Sequence, residues 1–345
     1  MSRIICYVAG KSGGHIIPAL THAQKSKEDS PDVKVLFFST DSPLDRSLLE
    51  KHPLVDQYQP LTLANVPRKN ILAWPRFVAQ FFVVMGQVFT LLRRHRPSKV
   101  VSTGGYIGLP VCMIAKILRI PVELYVLDVV PGEAAKLLSR WADVTHLAFA
   151  QTAKYLPKSA HCVETPYPLR YKEVDRIARE QACERLGIDQ HKKIVCVLGG
   201  SQGSHFINDL LQRWVSENSY AKDCIIVHQT GLQGVEQVQQ FYQRYGITAF
   251  VFAYRNDINL CYAAADVIVA RAGAGTLFEI LFFKKQAIIV PLETVTTAHQ
   301  KDNALMMQTN HPQFFSVLLQ KDVSDKNIIF FKKMADICQK STYPL

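Results

Sequence analysis

The chain has 345 residues, 48% of them hydrophobic and 20% charged, which excludes bulk disorder and leaves length for two domains. Its formal net charge of +11 favours anionic partners (nucleic acid, acidic lipid headgroups or phosphorylated substrates) without choosing among them. The eight cysteines include no CxxC pair and several lie in apolar runs, so they read as reduced, buried thiols rather than a metal or disulfide framework.

The opening apolar run "RIICYVA" (3–9) meets glycine too soon for a signal peptide and reads as a strand. "PALTHAQKSK" (18–27) reads as helix and "VKVLFF" (33–38) as the next strand. Further strands are expected at 99–102, 122–127 and 144–149, with helical stretches between them. At "HCVETPYPLR" (161–170) the periodicity stops and two prolines fall within three residues, the pattern of a linker. Alternation resumes with strands at 193–198, 224–228, 248–252, 266–270 and 287–291. Continuous β-branched runs between helices predict an α/β protein, two doubly wound parallel sheets in tandem. The expected division is 1–165, 166–325, and a C-terminal segment 326–345 returning to the first domain.

Gly-Lys-Ser at 10–12 suggests a phosphate-binding P-loop, but that motif needs a second glycine where Ile5 stands inside the strand. What remains is Gly10, Gly13 and Gly14 followed by His15, a strand-to-helix turn that exposes backbone N–H groups and the positive end of a helix dipole. The same context recurs at "STGGYIGLP" (102–110), "LGGSQGS" (198–204) and "RAGAGTLFE" (271–279). Four such turns divided between two domains predict an interdomain cleft lined by helix N-termini and suited to a diphosphate. No GxGxxG follows the first strand, so the dinucleotide fingerprint is absent.

The stretches "GKSGGHIIPAL", "VVSTGGYIGLP", "VVPGEAAKLLSRWAD", "LGGSQGSHFIN", "VHQTG", "YAAADVIVARAGAGTLFE" and "HQKDNA" resemble, in order from residue 10 to 304, the MurG family of peptidoglycan N-acetylglucosaminyltransferases. The resemblance implies a GT-B fold, two Rossmann-like domains with the active site between them. It implies transfer of N-acetylglucosamine from UDP-N-acetylglucosamine to lipid I, an undecaprenyl-diphosphate-linked muramyl peptide. It implies His15 as candidate general base, with Ser12, Gly13 and Gly14 in the first substrate-binding turn. Arg170 would lie near the nucleotide phosphates, Ser201, Gln202 and Gly203 would contact UDP, and Glu279 would hold the ribose hydroxyls. Gln300 and Asn303 would read the sugar hydroxyls. Arg255 replaces an apolar residue beside the uracil.

Two departures stand out. Tyr125, Val126, Leu127 and Asp128 occupy the acceptor-side stretch where the family often has His-Glu-Gln-Asn. Asp128 is therefore either a second candidate base or a changed acceptor contact, and an alternative lipid-linked acceptor stays open. Lys11 and Ser12 stand where glycine and threonine are usual.

Inverting transfer needs a base for the attacking hydroxyl and charge stabilisation on departing UDP, which helix N-termini and an arginine supply. The chain has no Asp-x-Asp triplet, so neither a metal nor another cofactor is expected.

In "WPRFVAQFFVVMGQVFTLLRRHR" (74–96) a helical apolar stripe ends in Arg93, Arg94, His95 and Arg96. Three readings are open: a spanning helix, a core helix, or a core helix whose outer end touches lipid. The last suits a lipid-linked acceptor, with Trp74, Phe77, Phe81, Arg93 and Arg94 as membrane contacts, an anionic membrane surface as partner, and the cytoplasmic face of the bacterial plasma membrane as location. A nucleic-acid partner is not expected, because no base-stacking or groove-reading motif accompanies the basic charge.

Overall fold

Continuous apolar strands need cover on both faces, and both faces are covered here. In the first sheet Cys6, Val8, Leu36, Phe38, Val100 and Leu124 belong to one core and Ile5, Tyr7, Val35, Phe37 and Val101 to the other. The computed structural model describes residues 3–64, 66–67, 71–200, 203–231, 234–294, 299–325 and 328–338. The chain divides into two compact units, Met1–Arg170 and Tyr171–Leu345.

The first unit runs β1 (Ile4–Val8), α1 (Gly13–Asp29), β2 (Lys34–Thr40), α2 (Pro43–Leu49), β3 (Gln57–Leu61), α3 (Trp74–His95), β4 (Lys99–Ser102), α4 (Gly108–Ile117), β5 (Val122–Val126), α5 (Glu133–Leu138), β6 (Val144–Leu147) and β7 (Cys162–Glu164). Its seven strands are ordered β3-β2-β1-β4-β5-β6-β7, every pair parallel. The order reverses between β1 and β4, so the loops leaving these strands diverge and open a crevice at their carboxyl ends.

The second unit runs α6 (Arg179–Leu186), β8 (Lys193–Leu198), α7 (His205–Glu217), β9 (Cys224–Gln229), α8 (Val235–Arg244), β10 (Thr248–Phe252), α9 (Ile258–Ala264), β11 (Val267–Ala270), α10 (Ala274–Phe282), β12 (Gln286–Ile289), α11 (His299–Asn310), β13 (Phe315–Val317), α12 (Gln320–Asp325) and α13 (Ile328–Cys338). Its six parallel strands are ordered β10-β9-β8-β11-β12-β13, with the reversal between β8 and β11.

The differences from the sequence reading have local causes. Pro60 argues against a strand, yet β3 tolerates it because β3 is an edge. The three-residue edge strand β7 lies within the stretch read as linker. Helix α1 begins at Gly13 rather than at residue 18, which puts His15 in its first turn and Pro18 inside the helix.

The expected return of 326–345 to the first domain is corrected for α13. Phe330 and Met334 are fully buried among Val195, Trp214 and Val267 of the second unit. Residues 326–327 and 339–345 lie outside the described residues.

Helix α3 buries Val84, Val88 and Leu92 against the first sheet, while Phe77 and Phe81 pack half-buried against the same core. Leu72, Trp74, Val78, Phe82 and Val83 face outward, with Phe82 65% exposed. The helix is long and apolar enough to cross a membrane. A helix with Val84, Val88 and Leu92 locked into a domain core is not sheathed in lipid, so the core-helix readings hold over the spanning one.

Candidate functional site

The first crevice is built around His15. Val8 of β1 pairs with Ser102 of β4, so the turns that follow these strands start side by side. The His15 ring Nδ1 lies 2.9 Å from the Thr103 carbonyl, and Thr103 Oγ1 donates back to the His15 carbonyl at 2.7 Å. A carbonyl only accepts, so Nδ1 carries a proton, and in the neutral ring it is Nε2 that presents the lone pair. Gly104, at φ +112°, makes room for this ring: a Cβ there would sit 2.8 Å from two imidazole atoms. The second glycine turn therefore holds the histidine of the first.

Asp45 completes the turn and was missed in the sequence. It is fully buried in the first turn of α2. Its carboxylate accepts from the Lys11 N–H at 3.1 Å, from the Ser39 and Thr40 hydroxyls at 2.5 Å each, and from the Thr40 N–H at 3.1 Å. Burial pulls its pKa upward, but the bonds from Ser39, Thr40, Lys11 and Ser42 outweigh this and hold it below the ordinary value. Ser42 caps α2, accepting from the Asp45 N–H. The only sequence signal was "SPLD" (42–45), which looks like an ordinary helix start. Anchored in this way, Lys11 keeps a left-handed φ of +71° despite its side chain, and its ammonium sits 4.6 Å from the centre of the Tyr106 ring.

The altered 125–128 segment splits in two. Tyr125 is sandwiched between His22 of α1 and His146 of β6, with ring centroids 3.9 and 4.3 Å away. It is a packing residue on the α1 face of the sheet. Asp128 lies beyond the end of β5, half-buried, its carbonyl accepting from Thr152 Oγ1 at 3.1 Å.

The second crevice has a different centre. Leu198 of β8 pairs with Ala270 of β11, and the turns after them lead into α7 and α10. Gly203, at φ +76°, lies so close to the next turn that a Cβ would fall 2.1 Å from the Thr230 carbonyl oxygen. That turn belongs to the "VHQTG" stretch. His228 in it is fully buried, with Nδ1 2.8 Å from Tyr242 Oη and Nε2 3.1 Å from Asn208 Oδ1. Burial lowers its pKa to about 3, so it is a neutral core group that supports the glycine turn. Ser201 and Gln202 lie outside the described residues.

Glu279 is 7% exposed on α10, and Tyr262 Oη donates to its Oε2 at 2.8 Å. Gln300 and Asn303 share the first turns of α11; the Leu292 N–H donates to Gln300 Oε1 at 3.1 Å, and Asn303 is fully buried. Arg255 is bound bidentately by Asp257 at 2.8 and 2.6 Å and lies over Phe250. Arg170 is half-buried at the end of the first unit. Each unit thus brings its own expected residues to the carboxyl edge of its sheet: His15 and Asp128 in the first; Gly203, Glu279, Gln300 and Asn303 in the second.

Residues 5–146 match the glycosyltransferase family 28 N-terminal domain and residues 194–335 its C-terminal domain, so the protein is a glycosyltransferase. A curated relative from Protochlamydia amoebophila is 31% identical over 311 residues, covering 88% of this chain and 80% of its own. One from Caldanaerobacter subterraneus is 28% identical over 326 residues, covering 93% and 88%. Both are UDP-N-acetylglucosamine--N-acetylmuramyl-(pentapeptide) pyrophosphoryl-undecaprenol N-acetylglucosamine transferases. Acinetobacter baumannii MurG superposes with a TM-score of 0.73 at 23% identity, covering 97% of this chain and 91% of that one. A transferase from Siraitia grosvenorii in complex with UDP gives 0.61 at 13% identity, with 97% and 93% covered. The chain belongs to the MurG family and has the GT-B fold.

Proposed function

We propose that this chain moves N-acetylglucosamine from UDP-N-acetylglucosamine to the undecaprenyl-diphosphate-linked muramyl pentapeptide lipid I, forming lipid II, by inverting transfer without a metal ion. Family membership supports the donor and acceptor. The observation that carries the chemistry is the imidazole of His15, its Nδ1–H fixed on the Thr103 carbonyl and Nε2 left as base.

In this reading Nε2 takes the proton of the acceptor hydroxyl as its oxygen attacks the anomeric carbon. The bond to UDP breaks, and its electron pair leaves on the diphosphate. The N-termini of α7 and α10, with Arg170, stabilise that charge. Ser12, Gly13, Gly14 and Gly203 line the substrate turns, and the family resemblance adds Ser201 and Gln202 as UDP contacts. Glu279, oriented by Tyr262, accepts from the ribose hydroxyls, and Gln300 and Asn303 contact the sugar. Arg255, held by Asp257, offers backbone rather than guanidinium to the uracil. The outward face of α3, with Trp74, Arg93 and Arg94, meets an anionic membrane surface at the cytoplasmic face. The half-buried Phe77 and Phe81 support that face rather than insert fully. The two working parts are 1–165 for acceptor and membrane and 166–325 for the UDP-sugar.

The test is transfer of labelled N-acetylglucosamine to lipid I in anionic vesicles with EDTA present. A β-linked disaccharide lipid is expected. An Arg93→Glu/Arg94→Glu variant should lose transfer to vesicle-borne acceptor while keeping it with detergent-solubilised acceptor. Loss of activity in EDTA that a divalent ion restores would sink the metal-independent mechanism. Donor binding without transfer to lipid I would point, through Asp128, to another lipid-linked acceptor.

A further inference from the structure

The crevice of the second sheet holds a cation that no step above employs. Arg271 directly follows β11. Its Nε donates to Ser204 Oγ, the N-cap of α7, at 2.9 Å. One terminal nitrogen donates to the carbonyls of Val290 at 3.0 Å and Pro291 at 3.4 Å, and to Gln320 Oε1 at 3.2 Å. The guanidinium carbon lies 5.6 Å from the centre of the Phe206 ring. Every one of these partners is neutral. Other arginines of the same unit are compensated: Arg179 pairs with Asp266 at 3.0 Å and Arg255 with Asp257 at 2.6 Å. Among the described residues no carboxylate pairs with Arg271, and its other terminal nitrogen has no hydrogen-bond partner.

Place and chemistry agree. The order of strands reverses between β8 and β11, and the Arg271–Ser204 bond spans that reversal. This is where open α/β sheets bind ligands. The N-terminus of α7 adds its own positive potential there. A half-buried cation with only dipoles around it is costly, and burial pulls its pKa down to about 10. A carboxylate partner would relieve that cost but would compete with any anionic ligand. A planar guanidinium held at Nε by a hydroxyl and at one terminal nitrogen by carbonyls keeps its second terminal nitrogen directed and ready to donate to phosphate oxygens.

We infer that Arg271 is a further donor-positioning residue: its guanidinium receives the diphosphate of the nucleotide sugar at the β8/β11 crevice and compensates the charge that this group gains on leaving. The inference rests on the donor reading above. Ser204, Val290, Pro291 and Gln320 set the direction of the guanidinium, and the ligand supplies the counter-charge that the fold withholds.

Equilibrium binding of UDP and uridine to the full chain, with Arg271→Gln and Arg271→Lys beside the wild type, tests it. Wild type should bind UDP more tightly than uridine. Arg271→Gln should weaken UDP about 10- to 100-fold and leave uridine within about twofold. Arg271→Lys should fall between, keeping the charge and losing the planar fork. Equal weakening of both ligands in the lysine variant means a purely structural role and overturns the proposal. So does an unchanged UDP preference in both variants. If Arg271→Gln fails to fold, the lysine variant decides alone. A wild type that binds neither ligand overturns the donor reading itself, an outcome distinct from either.

Discussion

Two histidines mark the difference between the two crevices. His15 engages one ring nitrogen and leaves the other open; His228 engages both and is sealed from solvent. Both stand beside glycine turns that follow parallel strands. A reactive imidazole needs one committed nitrogen to fix its tautomer and one uncommitted nitrogen to act. A structural imidazole needs both satisfied, because a buried unpaired nitrogen is costly. The glycines differ in the same way: Gly104 clears space for a side chain, whereas Gly203 clears space for a neighbouring backbone.

The largest effect should come from exchanging the tests of the two residues. His15→Ala should lower kcat by about 10²- to 10⁴-fold, with UDP affinity and Tm little changed. His228→Ala should instead leave the Asn208 and Tyr242 side chains unpaired and cost about 2–3 kcal/mol of stability in thermal melts. Equal loss of turnover and UDP affinity in His15→Ala would break the comparison, making His15 a structural residue too.

Gly104→Ala sharpens it. Strain at positive φ and contact with the imidazole should displace His15 and lower kcat by roughly 10- to 100-fold, with donor KM unchanged. Full activity in this variant would mean that the His15–Thr103 geometry is not the working one.

The comparison also extends to pH. The native state holds His228 neutral, with its pKa pushed down to about 3 by burial, whereas the unfolded chain protonates it near pH 6.5. Its contribution is complete above about pH 6.5 and declines by about 1.4 kcal/mol per pH unit as the pH falls towards 3. His22, lowered to about 4 by burial first and the charge of His146 second, adds the same trend in the first unit. Asp45 acts at lower pH: its depressed carboxyl stabilises the native state above about pH 4, and that support is lost as the pH falls through its native value. Denaturant melts between pH 7 and 4 should show the decline, with a shallower slope in His228→Asn.

The residues that sequence alone placed are those whose work is local. Glycine turns after apolar strands announced both sheets, their carboxyl edges and His15, because strand period and turn chemistry act over a few residues. The stripe of α3 announced an amphipathic helix for the same reason. Tertiary structure alone decided which nitrogen of His15 is open, since Thr103 lies 88 residues away. It gave Asp45 its role through Lys11, 34 residues distant, and set Tyr125 of the altered acceptor-side stretch in packing between His22 and His146. It also left Arg271 without a carboxylate among the described residues where parallel strands reverse. Those outcomes depend on strand order, and neighbours across a parallel sheet are separated in sequence by whole helices, so no local pattern records them.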